Sequence, residues 1–257
     1  GGQLCHRGRK QFRLTELGQA TYDAAIKLFR DLDDFTQRVS AASGNLSGRL
    51  RLGASDGIMT SEDLGLQRAI AEFSKPDADI FIDLELGTPS DLEQKVADGD
   101  RDIAIGPFSQ RSPGLVYRDY AREPHNLYCG RRHPLFDRPD HDIDQRDLSA
   151  ARFSVRRYRH FDDLYLVGHP RASASVVAME AQAMLVLSGQ FIGFLPCHFA
   201  SPWVERGEMR AIRPNTFGFT STHKIAYRRD NQDSPLIKRF LSILAQGRSI
   251  DADSREV

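Results

Sequence analysis

A two-lobed α/β chain preceded by a long linker helix is the fold class that the sequence predicts, on three observations. A heptad rhythm fills residues 15–43, strand and helix patterns then alternate as β-α-β-α-β to residue 105, and a second α/β series occupies the remainder. The 257 residues, 40% hydrophobic and 27% charged, suffice for one large or two small domains with cores of their own.

The opening 14 residues are locally basic, with Arg7, Arg9, Lys10 and Arg13 and no acidic residue. Thr15 can then cap a helix, with Glu16 favourably near the positive end of its dipole. The helical pattern continues to Ser43, where Gly44 and Asn45 signal a stop. Inside it, Thr21, Ala25, Leu28, Leu32, Phe35, Val39 and Ala42 recur at alternating spacings of 4 and 3, an a/d seam between charged flanks. Such a rod, about 43 Å long at ~1.5 Å per residue, is expected to dimerise through Leu28, Leu32, Phe35 and Val39 rather than lie on its own domain.

Beyond it, strands are expected at Leu50–Ala54, Ile80–Leu86 and Ile103–Ile105, with helices at Glu62–Ser74 and Asp91–Asp98 between them. This order implies parallel strands with right-handed crossovers. The second series begins with two separate strands, Leu115–Tyr120 and Asn126–Gly130. Strands at Phe153–Val155, Ser173–Val177, Phe191–Leu195, Met209–Ile212 and Lys224–Arg228 follow. Helices at Glu180–Ser188, His198–Arg206 and Pro235–Gln246 complete it; Phe161–Arg171 follows neither period.

Thirty-five basic against 35 acidic residues leave a formal charge of zero, which excludes a uniformly basic nucleic-acid coat but not a local basic segment. No apolar run approaches the roughly 20 residues of a membrane span, and no signal-peptide pattern opens the chain. Three scattered cysteines argue for a reduced, cytoplasmic compartment. Neither a zinc-protease helix, a P-loop nor a dinucleotide fingerprint occurs, so no metal and no cofactor is expected. His133, His141, His160 and His169 lack ligand spacing and are expected at the surface.

Gly53-Ala54-Ser55-Asp56-Gly57 satisfies the hydrolase pattern G-x-S-x-G between a strand and a helix. A nucleophilic Ser55 would need a base, such as His223, and an oxyanion hole, yet no oxyanion segment precedes it. The same turn can instead offer a hydroxyl and free N–H groups to an anion, or simply cap a helix. Gly87-Thr88-Pro89-Ser90 repeats the arrangement after the next strand, so Ser55 and Thr88 face one crevice if those strands are parallel neighbours.

The segment Leu4-Cys5-His6-Arg7-Gly8-Arg9-Lys10, followed by Arg13-Leu14-Thr15-Glu16-Leu17-Gly18, resembles the LysR-type transcriptional regulators at the join of wing and linker helix. Leu46–Gly53, Ala97–Ile105, Arg122-Glu123-Pro124 with His133-Pro134-Leu135, and Ser188–Pro196 resemble further signposts of that family in the same order, together covering nearly the whole chain. The resemblance implies a periplasmic-binding-protein-like effector domain whose two lobes hold a small-molecule coinducer, commonly a metabolite carboxylate. It implies residues 1–14 as the wing of a winged helix-turn-helix whose remainder lies upstream, 15–45 as linker helix and 46–257 as effector-binding domain. Lobe I would span about 46–121 plus 230–257 and lobe II about 122–229, joined near Arg122–Pro124 and before the last helix.

On that resemblance the expected ligand-binding residues are Ser55, Asp56, Thr88, Ser90, Gly106, Arg156 and Met179, with Arg159 a further charge partner. Asp56 is out of place in a simple anion site and favours an amine-bearing or neutral ligand, so the ligand class stays open between these and a carboxylate. Arg7, Arg9, Lys10 and Arg13 would contact DNA phosphates in the intact protein, and the helix would build a homodimer or homotetramer. The expected function is a bacterial, non-enzymatic, ligand-responsive transcription factor. A solute-binding protein of the periplasmic type and a serine hydrolase using Ser55 are the alternatives.

Overall fold

The computed structural model describes residues 2–7, 12–43, 46–75, 79–109 and 111–253. Arg9 and Lys10 of the basic segment, and the Gly44–Asn45 stop, lie outside the described residues. A short antiparallel hairpin, β1 (Cys5–Arg7) with β2 (Phe12–Leu14), opens the chain and presents Arg13 to solvent. Helix α1 (Glu16–Ala42) follows, and Thr15 caps it as expected: its hydroxyl accepts the Gly18 N–H at 2.9 Å.

The orientation of α1 is the first informative feature. Its polar side meets the body of the protein: Gln37 is buried and donates to the Arg49 carbonyl, Ser40 meets Ser47, and Asp33 lies 3.8 Å from Arg51. The heptad residues turn outward, with Leu28 66%, Leu32 55%, Phe35 63% and Val39 53% exposed. An amphipathic helix resting on its own domain would do the reverse.

Strand β3 (Ser47–Ser55), helix α2 (Leu66–Phe73), strand β4 (Asp79–Gly87), helix α3 (Pro89–Ala97) and strand β5 (Ile103–Gly106) form the anticipated β-α-β-α-β unit. β3 pairs in parallel with both β4 and β5. The helix expected at Glu62–Ser74 starts later, after a 3₁₀ turn at Ile58–Thr60, with Gly65 in the left-handed region just before it.

Next comes β6 (Leu115–Gly130), a single strand of 16 residues where two were expected. Lobe II then runs through α4 (Gln145–Ala150), β7 (Ser154–Arg156), α5 (His160–Val167), β8 (Ala174–Val176) and α6 (Met179–Leu187). It continues with β9 (Ile192–Pro196), α7 (Cys197–Glu205), β10 (Met209–Ala211) and α8 (Pro214–Phe217). Strand β11 (Phe219–Arg228) returns along β6, starting five residues before the expected Lys224, and α9 (Pro235–Asp253) closes the chain on lobe I.

The main sheet has the order β10-β6-β11-β5-β3-β4, with β9 also pairing β6. β6 and β11 therefore run through both lobes. One hydrophobic core gathers Leu50, Leu52, Ile105, Tyr120, Tyr227 and Phe240; a separate one gathers Leu127, Phe153, Val155, Ile192 and Phe194. Between Ala121 of the first and Leu127 of the second, β6 contributes no residue to either core. Two strands bridging two independent cores are the arrangement in which lobes hinge.

Candidate functional site between the lobes

A cavity of about 210 Å³ lies where the crossing strands pass between the lobes. Lobe I contributes Ser55 and Asp56 at the end of β3, Ser90 and Glu93 from α3, and Phe108 after β5. Lobe II contributes Arg156, Tyr158, Arg159 and Met179. The floor comes from the crossing strands, Glu123 and His125 on β6 with Ser221 and His223 on β11. Each pair is two residues apart on a strand, so both members point to one face.

Glu123 is buried at the centre of this floor. His198 Nε2 donates to one carboxylate oxygen at 2.8 Å, while Ser221 Oγ lies 3.5 Å and His125 Nε2 3.2 Å from the other. Burial pushes this carboxyl upward, but the opposing contributions, led by the His198 hydrogen bond, hold the group below its ordinary value. His125 stacks on Phe219 at 4.6 Å and lies 3.1 Å from Arg156 Nη1. Burial, then the Arg156 charge, lowers its pKa to about 3, so the ring is neutral, and burial lowers His223 likewise. The Arg156 guanidinium is 1% exposed and forks onto Asp163 at 3.3 and 3.2 Å; Arg159 reaches the same carboxylate at 3.1 Å.

This cluster fixes the sign of a pH effect. Folded His125 stays neutral to about pH 3, whereas the unfolded ring takes up a proton near 6.5. The unfolded state then binds more protons across that window. Glu123 acts in the same direction at lower pH, its contribution present above the unfolded carboxylate value and lost as the pH falls through its depressed folded one. Stability against urea is expected to fall on acidification below pH 6.5, by up to about 1.4 kcal/mol per pH unit from His125. His125→Asn should flatten that slope; an unchanged slope would contradict the assignment.

Contacts also cross between the lobes. The Met179 N–H, at the start of α6, donates to the Asp56 carboxylate, and Thr60 Oγ1 lies 2.8 Å from His198 Nδ1. Asp56 thereby caps a helix whose own N-cap, Ala178, has no side chain to do so. Burial raises the Asp56 pKa despite that bond. Gly57 allows the approach: it has φ 75°, and a Cβ there would sit 3.0 Å from the Met179 side chain.

Of the expected ligand residues, Ser55, Asp56, Ser90, Arg156 and Met179 line the cavity together. Thr88 does not; it is the N-cap of α3, accepting the Asp91 N–H at 3.2 Å. Gly106 sits just behind the wall, where a Cβ would meet Phe108 and Ser55 at 3.4 and 3.5 Å. Glu123, His125, Tyr158, Asp162 and Ser221 are cavity residues that the sequence reading missed. Two histidines expected at the surface are buried instead: His133 Nδ1 accepts the Leu135 N–H, and His169 Nε2 meets the Ala151 carbonyl at 3.0 Å. Among the described residues no group of three or more His, Cys, Asp or Glu side chains is arranged to hold a metal.

The hydrolase alternative acquires a partial likeness and then fails on geometry. Ser55 Oγ does lie 3.3 Å from His223 Nε2. However, the carboxylate of Glu123 approaches that same nitrogen, at 4.0 Å, while His223 Nδ1 has no hydrogen-bond partner. A catalytic triad needs the acid on the opposite nitrogen, where it fixes the tautomer that accepts the serine proton.

Comparison with known proteins decides the family. Residues 43–249 match the LysR substrate binding domain. The HTH-type transcriptional activator BauR of Pseudomonas aeruginosa is 31% identical over 252 residues, covering 95% of this chain and 81% of BauR. The chain belongs to the LysR-type transcriptional regulators. CrgA, a LysR-type transcriptional regulator from Neisseria meningitidis, shares the fold at TM-score 0.60 and 16% identity over 96% of this chain and 84% of its own. AphB, the Vibrio cholerae virulence activator, does so at TM-score 0.65 and 16% identity over 95% and 83%. This LysR-type regulator thus carries the two-lobed, periplasmic-binding-protein-like effector domain of its family, and its function is transcriptional regulation. No helix among its described residues is long and apolar enough to cross a membrane.

Proposed function

We propose that the interlobe cavity is the effector site of this regulator, with Ser55, Asp56, Ser90, Arg156 and Met179 meeting a small molecule there. The single observation that carries this reading is the position of the cavity. It is walled by both lobes and floored by the two strands on which they hinge, so a ligand that prefers one lobe angle shifts the equilibrium between them. Helix α1 would transmit that shift by pairing two chains through Leu28, Leu32, Phe35 and Val39, its body-facing side already held by Gln37 and Ser40. In the intact protein Arg7, Arg9, Lys10 and Arg13 would grip promoter phosphates, positioning a helix-turn-helix without reading bases themselves. The protein would act in the cytoplasm, as a homodimer or homotetramer, and without catalysing a reaction.

The test is to fill the cavity. Ser90 is exposed at the start of α3, so Ser90→Trp places an indole in the cleft without touching either core. A thermal-shift screen of small amines and carboxylic acids is expected to yield a compound that raises the melting temperature of the wild type and leaves Ser90→Trp unmoved. A compound that stabilises both equally would place the site elsewhere.

A further inference from the structure

The charges around the cavity do not suit an anion. Four carboxylates line it, Asp56, Glu93, Glu123 and Asp162. Its two guanidiniums are already committed, Arg156 to buried Asp163 and Arg159 to Asp163 with Asp162 at 3.6 Å. His125 and His223 are kept towards the neutral form by burial. Backbone N–H groups at a helix start are the usual alternative for a carboxylate or phosphate. Here the start of α6 is taken by the protein's own Asp56. Glu93 and Glu123 meet neutral or shared donors, the Tyr117 hydroxyl and the cluster around His198, so the acidic excess is not balanced from within.

An acidic excess in a partly buried cleft is stabilised by a cation from outside. Asp56 is the group best placed to receive one. It lines the cavity, belongs to lobe I, and its bond to Met179 already ties it to lobe II. A cation against Asp56 therefore bears on the contact between the lobes. The serine hydroxyls at 55, 90 and 221 supply neutral hydrogen bonds for the rest of a small ligand.

We infer that the effector carries a cationic amine, and that its ammonium group pairs with Asp56 in the interlobe cleft. This rests on the cleft being the effector site, as proposed above. The experiment is calorimetric titration of the whole chain with propylamine, ethanolamine and alanine, each carrying an ammonium group, and with propionate and glycolate as anions of similar size. At least one amine is expected to bind, and Asp56→Asn, which keeps the size and removes the charge, to weaken it about tenfold or more. Binding by an anion with every amine silent would overturn the inference, as would silence from all five or an amine affinity unchanged in Asp56→Asn. Failure of the cleft reading itself has a separate signature: an amine that binds the wild type, Asp56→Asn and Ser90→Trp equally well.

Discussion

Replacing Leu32 and Phe35 together with lysine is expected to leave this LysR-type regulator monomeric in analytical ultracentrifugation, where the unaltered chain is expected to sediment as a dimer or tetramer. Both side chains are more than half exposed on α1, on the side turned away from the effector domain. Burying such a side chain contributes about 1.5–3 kcal/mol, and a pair of helices would lose four of them. The loss is therefore about 6 kcal/mol at least, more than 10⁴-fold in the dissociation constant. The domain itself should be undisturbed, because the contacts that dock α1 are made by Asp33, Gln37 and Ser40. Urea midpoints of the variant and of a dilute wild type should agree. A variant that still sediments as a dimer would remove the seam from the account.

The second large effect is expected at the buried ion pair of lobe II. Asp163→Leu leaves the Arg156 guanidinium in the protein interior without its carboxylate, which costs about 3–5 kcal/mol, a large fraction of a domain's total stability. Arg156→Met added to Asp163→Leu removes both charges, and the double variant should regain most of that loss. Equilibrium urea unfolding of the two variants separates charge from packing. If the double variant is no more stable than the single, the loss is one of shape and the electrostatic account of Arg156 is wrong. The pair also positions the cavity wall, since Arg156 reaches from Asp163 to His125.

Much of this architecture is legible in the sequence because it rests on short-range periodicity. The seam of α1 repeats regularly, and the β3–α3–β5 region alternates apolar runs with capped helices, so element types and parallel pairing follow. The crossing strands are harder. Pro124 looks like an interruption between two strands, yet β9 pairs with β6 only from His125 onward, so the missing N–H at Pro124 falls where no partner from β9 asks for it. After Phe219, which packs against the second core, β11 is polar through Thr220-Ser221-Thr222-His223, with Ser221 and His223 facing the cavity, and so it carries no strand-like apolar run. Helix α5 was illegible because Phe161 and Tyr165 are more than 80% exposed, which scrambles its amphipathic pattern.

The lobe I wall of the cavity is legible in the sequence, where Ser55, Asp56 and Ser90 lie at or just after strand ends of a parallel sheet. Its floor was not, because Glu123, His198 and His223 meet only through tertiary pairing across long stretches of chain. The available signal was the two-residue spacing of Glu123 with His125 and of Ser221 with His223, which places polar pairs on one face of a buried strand. Thr88 shows the opposite error. It follows Gly87, the residue paired with Ser55 at the end of β4, but its hydroxyl is spent on the α3 N-terminus.

Amide hydrogen exchange with and without a bound amine is the most direct test of the proposal that a ligand in the interlobe cavity shifts the equilibrium between lobe angles. Slower exchange is expected in two separate segments at once, Ser55–Thr60 of lobe I and the first turn of α6 in lobe II, with β6 and β11 protected where they cross. Protection confined to one lobe, or to the surface groove formed by Ala97, Gly114 and Arg229, would contradict it.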